Sequence, residues 1–123
     1  VKDNRPVNLE ITDWLPLPAV VSILTRASGV FLFIGAALFL YALDRSLAGP
    51  ESFAALKATL SSPLSKLVIW ALVAGLIYHA AAGVKHLVAD FGYGESLEGG
   101  VLGARATVAV SVVLILIAGL MIW

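Results

Sequence analysis

The fold is decided by residues 67–84, which read LVIWALVAGLIYHAAAGV and contain no Asp, Glu, Lys or Arg. A helix needs about 20 apolar residues, at ~1.5 Å rise each, to cross the hydrocarbon core of a bilayer. Two further stretches, 27–43 and 106–123, are equally free of these charges. Lipid offers the backbone no hydrogen-bond partner, so all three stretches should be helical. We predict spans at about 20–43, 64–89 and 104–123.

The composition is typical of an integral membrane protein. Of the 123 residues, 60% are hydrophobic and 13% are charged, whereas soluble domains are roughly 45–50% apolar and about 25% charged. A chain this short cannot bury so much apolar surface inside itself. We therefore predict an all-α membrane protein of one domain. The net charge is zero, which indicates no nucleic-acid partner.

The two connections and the charges suggest a topology. Residues 44–66 carry Pro50 and Pro63, and Pro63 suits the first turn of a helix capped by Ser61 or Ser62. Residues 90–105 hold five glycines, as is typical of a flexible loop. Cytoplasmic segments are enriched in Lys and Arg. The N-terminal side and second loop carry five such residues and the first loop three, so residues 1–19 are predicted to be a cytoplasmic segment.

His79 is the ionisable residue deepest in a predicted span. Placing an ionisable side chain at this depth costs free energy, so such residues are rare and usually have a function. Gly75 and Gly83 lie one turn before and after it on the same helical face. This spacing leaves room for a porphyrin standing edge-on to an imidazole. The same pattern of small residues also lets two helices pack closely, with the histidine hydrogen-bonded between them. Both interpretations stay open on spacing alone.

The chain can supply only one side of a haem. His86 is the other histidine, seven residues from His79 on the same helix, or ~10 Å along it. Axial ligands must come from opposite sides of the porphyrin, so one straight helix cannot supply both. The single methionine, Met121, lies near the opposite membrane face. There is no cysteine, which excludes c-type haem attachment and iron–sulfur ligation by this chain.

Two further polar groups lie near one membrane boundary. Arg26, with Ser22 one turn before it, forms a polar stripe that could hydrogen-bond a quinone carbonyl or a haem propionate. Lys85 and His86 lie where propionates would point if the haem plane followed the membrane normal. The plainer interpretation is that these long side chains anchor the helices at the interface.

Three stretches together resemble a known family. They are RPVNL at 5–9, SILTRASG at 22–29, and the pattern H-x3-G-V-K-H-L-V-A-D at 79–90. Over nearly its whole length the chain resembles the bacterial type of the cytochrome b membrane-anchor subunit, the C subunit, of succinate dehydrogenase. The resemblance implies a three-helix subunit that pairs with a second three-helix anchor, with one haem b between them.

The resemblance also implies roles for individual residues. His79 matches the family's haem ligand, the other ligand coming from the partner anchor, and His86 matches a histidine near the haem edge. Ser22, Ile23 and Arg26 match the ubiquinone pocket, and Arg26 also lies near a propionate. The family usually has a histidine directly before this arginine, where this chain has Thr25. Haem binding is expected to survive that change, with quinone affinity or haem potential altered.

In this family the flavoprotein subunit oxidises succinate and the iron–sulfur subunit passes electrons to ubiquinone beside the anchor. The chain would therefore be non-catalytic alone, and it would lie in the bacterial inner membrane with its N-terminus in the cytoplasm. Three alternatives are a haem-free structural anchor, a fumarate reductase anchor and a small transporter. The transporter is disfavoured because no carboxylate lies in the middle of a span.

Overall fold

The computed structural model describes residues 16–123, which form four helices: α1 (Leu17–Leu47), α2 (Pro50–Leu60), α3 (Pro63–Asp90) and α4 (Leu97–Ile122). Helices α1, α3 and α4 are long and apolar enough to cross a membrane. The prediction of an all-α, multi-pass membrane protein is confirmed. The points where lipid begins along each helix stay a prediction, and most of the N-terminal segment, with its RPVNL motif, lies outside the described residues.

The connections between the helices are shorter than predicted. The connection over residues 44–66 contains the short helix α2, for which no helix was predicted. Pro50 occupies its first position, where a missing N–H costs nothing. The predicted flexible loop over 90–105 is also wrong in extent. The Ser96 side chain caps α4 by accepting a hydrogen bond from the Gly99 amide at 3.0 Å. Three of the five glycines therefore lie inside α4.

The start of α3 agrees with the sequence. Its N-cap is Ser62, whose hydroxyl accepts a hydrogen bond from the Ser65 amide at 3.3 Å, and Pro63 occupies the first helical position. This cap begins the helix that carries both histidines.

Helix α3 forms the most extensive interfaces, with α4 and with α1, and α1 and α4 also contact each other. The interfaces are built from small residues. A Cβ added at Gly35 would overlap the Leu72 side chain, and one added at Gly119 would lie 2.9 Å from the Trp70 ring. Trp70 also donates a hydrogen bond from Nε1 to the Ile115 carbonyl at 2.9 Å. Large apolar side chains point outward instead, as with Phe33 at 82% exposure.

Candidate haem and quinone site

The His79 ring is held by the first helix. Its Nδ1 atom lies 2.9 Å from Ser28 Oγ and 3.2 Å from the Thr25 carbonyl oxygen. The Ser28 hydroxyl donates its own hydrogen to that same carbonyl at 2.7 Å. The Ser28 oxygen and the Thr25 carbonyl can therefore both accept from an Nδ1–H group. Of the two tautomers of an imidazole, this environment favours the one with the proton on Nδ1 and the lone pair on Nε2.

The other ring nitrogen of His79 has no partner inside the chain. Among residues 16–123, Ser111 Oγ is the one buried side-chain polar atom that lacks a hydrogen bond. The unpartnered Nε2 atom of His79 therefore reaches the surface of this subunit. A histidine that gives Nδ1–H to a backbone carbonyl and keeps Nε2 free has the arrangement commonly found in metal-bound histidines.

A second hydrogen bond between the same two helices fixes their register. The Tyr78 hydroxyl donates to the Val21 carbonyl at 2.8 Å. Tyr78 and His79, adjacent on α3, thus contact the carbonyls of Val21 and Thr25, which lie one turn apart on α1. The Thr25 hydroxyl also donates to the Val21 carbonyl, at 2.7 Å. It is engaged within its own helix at the position where the resemblance expects a histidine.

Glycines near His79 have different surroundings. A Cβ added at Gly29 would lie 3.3 Å from His79 Cε1, so this glycine lets the ring approach α1 closely. A Cβ at Gly75 would lie 2.9 Å from Phe31 Cδ1. Gly75 therefore serves helix packing, and the prediction that it leaves open space beside His79 is wrong. Gly83 has no neighbouring atom within 4 Å of a Cβ position, which leaves that side of the histidine open.

The predicted quinone residues share the end of α1 that holds His79. Ser22 is half-buried, Ile23 is 52% exposed and Arg26 is exposed. Ser22 and Arg26 lie four residues apart and so on one helical face. Arg26 directly follows Thr25, whose carbonyl contacts the His79 ring. His86 is exposed two turns further along α3, toward the end of the helix bundle at which α1 begins.

Comparison with known proteins settles the family. The protein-family model described as succinate dehydrogenase/fumarate reductase transmembrane subunit matches residues 1–118 of the chain. The chain belongs to this family. It is 38% identical over 122 residues to a protein of Coxiella burnetii (strain RSA 493 / Nine Mile phase I) named succinate dehydrogenase cytochrome b556 subunit, with 98% of each chain covered. A Paracoccus denitrificans protein of the same name is 34% identical over 114 residues, covering 92% of this chain and 88% of the relative.

The polar partners of His79 in this transmembrane subunit were missed by the sequence analysis. Ser28 was noted only as part of a motif, and a backbone carbonyl has no signature in a sequence. The sequence feature that could have indicated these partners is the presence of two hydroxyl residues, Thr25 and Ser28, three positions apart inside an apolar span. Within residues 16–123 no group of three or more His, Cys, Asp or Glu side chains could enclose a metal ion.

Proposed function

We propose that the chain is the haem-binding membrane anchor of a succinate dehydrogenase and that His79 supplies one axial ligand of haem b. The observation that carries the proposal is the state of the His79 ring, with Nδ1 engaged by Ser28 and Thr25 and Nε2 free at the subunit surface. The name cytochrome b556 carried by both relatives supports the choice of haem.

The second axial ligand would come from a second anchor subunit. His86 is on the same helix as His79, so it cannot reach the opposite face of the same porphyrin. We assign it, with Arg26, to the propionate edge, because both side chains are exposed near one membrane boundary. A guanidinium forms strong charge-assisted hydrogen bonds with carboxylates. Gly83, with open space around it, would allow the porphyrin to approach α3.

We further propose that Ser22, Ile23 and Arg26 form part of the ubiquinone-reduction site. A quinone carbonyl gains negative charge during reduction, and a cation fixed in apolar surroundings stabilises that charge. The Ser22 hydroxyl, one turn away, would donate a hydrogen bond to the same ligand, and Ile23 would contact the ring. A flavoprotein subunit and an iron–sulfur subunit would deliver the electrons from succinate, and bound haem would supply a one-electron relay.

The proposed orientation places the N-terminus in the cytoplasm of a bacterial inner membrane. Helices α1 and α3 then put Arg26, Lys85 and His86 at the cytoplasmic face, where soluble subunits would dock. The excess of Lys and Arg on that side supports this orientation.

The test is the replacement of each histidine in the assembled complex. His79→Gln should abolish or strongly change the b-type signal in reduced-minus-oxidised spectra, and the matched variant His86→Gln should retain it. An unchanged spectrum in His79→Gln, with loss in His86→Gln, would overturn the assignment. A wild-type complex without any b-type signal would instead support the haem-free structural anchor.

A further inference from the structure

A groove lies between α3 and α4, separate from the His79 site. Its volume is about 730 Å³, and its lining extends from Leu76 and Leu114 to Tyr93 and Gly94 in the connection between the helices. None of His79, Ser22 or Arg26 lines it. The residues proposed above to hold the haem and the quinone ring therefore do not form this groove.

The length of the groove matches one leaflet of a bilayer. Its lining on α3 runs from Leu76 to Ala89, a rise of ~20 Å along the helix. Half of the hydrocarbon core is ~15 Å, and the headgroup region lies beyond it. A groove of this length accommodates an acyl chain that starts at the membrane surface and ends near the bilayer midplane.

The walls of the groove suit a hydrocarbon chain. They are almost entirely apolar, and small residues such as Ala80, Ala81 and Ala106 give the groove its depth. The hydroxyl of Thr107, a polar group in the lining, already donates to the Gly103 carbonyl at 2.8 Å. A polar molecule would therefore lose its hydrogen bonds to water here with little replacement, whereas an acyl chain loses none.

Polar groups are concentrated at the end of the groove near the connection. The Lys85 stem packs over Gly103, with Cγ and Cε each 3.5 Å from the position of an added Cβ. No carboxylate among residues 16–123 forms an ion pair with this lysine. Tyr93 also lines the groove, and it belongs to the connection between α3 and α4. This connection packs closely against the start of α4, since a Cβ at Gly99 would lie 2.7 Å from Gly94 Cα. A cation and a phenol are suitable donors to a phosphate.

From this combination we propose that the groove binds one anionic phospholipid, with an acyl chain between α3 and α4 and its phosphate at Lys85 and Tyr93. The charge at one end and the apolar walls along the rest match the two parts of such a lipid. The proposal does not depend on haem binding or on the quinone site.

The first experiment measures lipid affinity by native mass spectrometry of the purified complex, titrated with dioleoylphosphatidylglycerol or dioleoylphosphatidylcholine. Lys85→Gln should weaken phosphatidylglycerol binding about fivefold, because one lysine near an anionic lipid contributes ~1 kcal/mol. Arg105→Gln removes an equal charge near the same membrane face but outside this groove, and it should change the affinity little. Equal affinities for both lipids, unaffected by Lys85→Gln, would overturn the proposal.

A second pair of variants tests the apolar part. Ala106→Phe places a ring in the groove and should reduce phosphatidylglycerol retention at least tenfold, whereas Ala109→Phe, on an exposed position outside the lining, should not. Phosphatidylglycerol with a photoreactive acyl chain should form adducts with lining residues such as Leu102. Adducts confined to other surfaces, or displacement of the lipid by ubiquinone or by a partner subunit, would contradict the proposal.

Discussion

Replacing Ser28 tests whether the contact with Nδ1 governs the chemistry of His79. Ser28→Ala removes the hydroxyl that lies 2.9 Å from Nδ1 and leaves the Thr25 carbonyl, at 3.2 Å, as the remaining acceptor. An Nδ1–H hydrogen bond increases electron donation from Nε2 to a bound metal. Losing part of it should disfavour ferric haem, so we expect the midpoint potential to rise.

The size of the shift follows from the strength of the bond. A hydrogen bond contributes ~0.5–1.5 kcal/mol net, and only the part that differs between ferric and ferrous haem affects the potential. For one electron, about 59 mV corresponds to a tenfold change in the equilibrium constant, or ~1.4 kcal/mol. A difference of ~0.5–1 kcal/mol therefore predicts an increase of about 20–40 mV.

The assay is a redox titration of the b-type absorbance in membranes that contain the assembled complex. Ser46→Ala is the matched control, because Ser46 also donates to the carbonyl three residues earlier in α1, likewise at 2.7 Å, but does not contact His79. Ser28→Thr keeps a hydroxyl and should keep the potential near the wild-type value. An unchanged potential in Ser28→Ala, or an equal shift in Ser46→Ala, would refute the reasoning.

Three further predictions concern the quinone, the partner and the packing. Arg26→Leu, and less severely Ser22→Ala, should lower succinate-to-ubiquinone activity while succinate oxidation by soluble acceptors is retained; full rates and normal inhibitor sensitivity in both would return these residues to an anchoring role. Expressed alone, the chain should give no six-coordinate haem, and co-expression with a histidine-bearing second anchor should give it; a six-coordinate spectrum from the monomer would contradict this. Gly119→Ala should destabilise the subunit by about 1–3 kcal/mol through overlap with the Trp70 ring, whereas Gly100→Ala, in open space on the same helix, should not; equal thermal stability of the two would count against the packing argument.

The long helices were predictable because their signal is simple. Three uncharged apolar stretches predict three spans whatever their tertiary contacts. Helix α2 was not predicted, because a proline is compatible with a break between helices as well as with the first position of a helix, and here Pro50 begins one. Helix α4 begins at Leu97, inside the stretch 90–105 that was predicted to be a loop. The five glycines of that stretch favoured a loop, whereas the N-cap at Ser96 begins a helix there.

The site was only partly predictable. His79 stood out because ionisable groups are rare within spans, but its role as a haem ligand stays a prediction. Its contacts with Ser28 and the Thr25 carbonyl depend on how α1 and α3 are rotated against each other, which no local pattern specifies. The same rotation turns Gly75 toward Phe31 rather than toward open space.

The contacts that orient the His79 ring all come from its own chain, through Ser28 and Thr25, while Tyr78 secures the same pair of helices through Val21. The contacts that set the orientation of the imidazole therefore use no atom from a prosthetic group or from another subunit. For biogenesis, we expect the proposed haem ligand to be presented in the same pose whichever of the two joins first. We therefore expect this subunit to impose no fixed order on haem insertion and on assembly with the proposed second anchor.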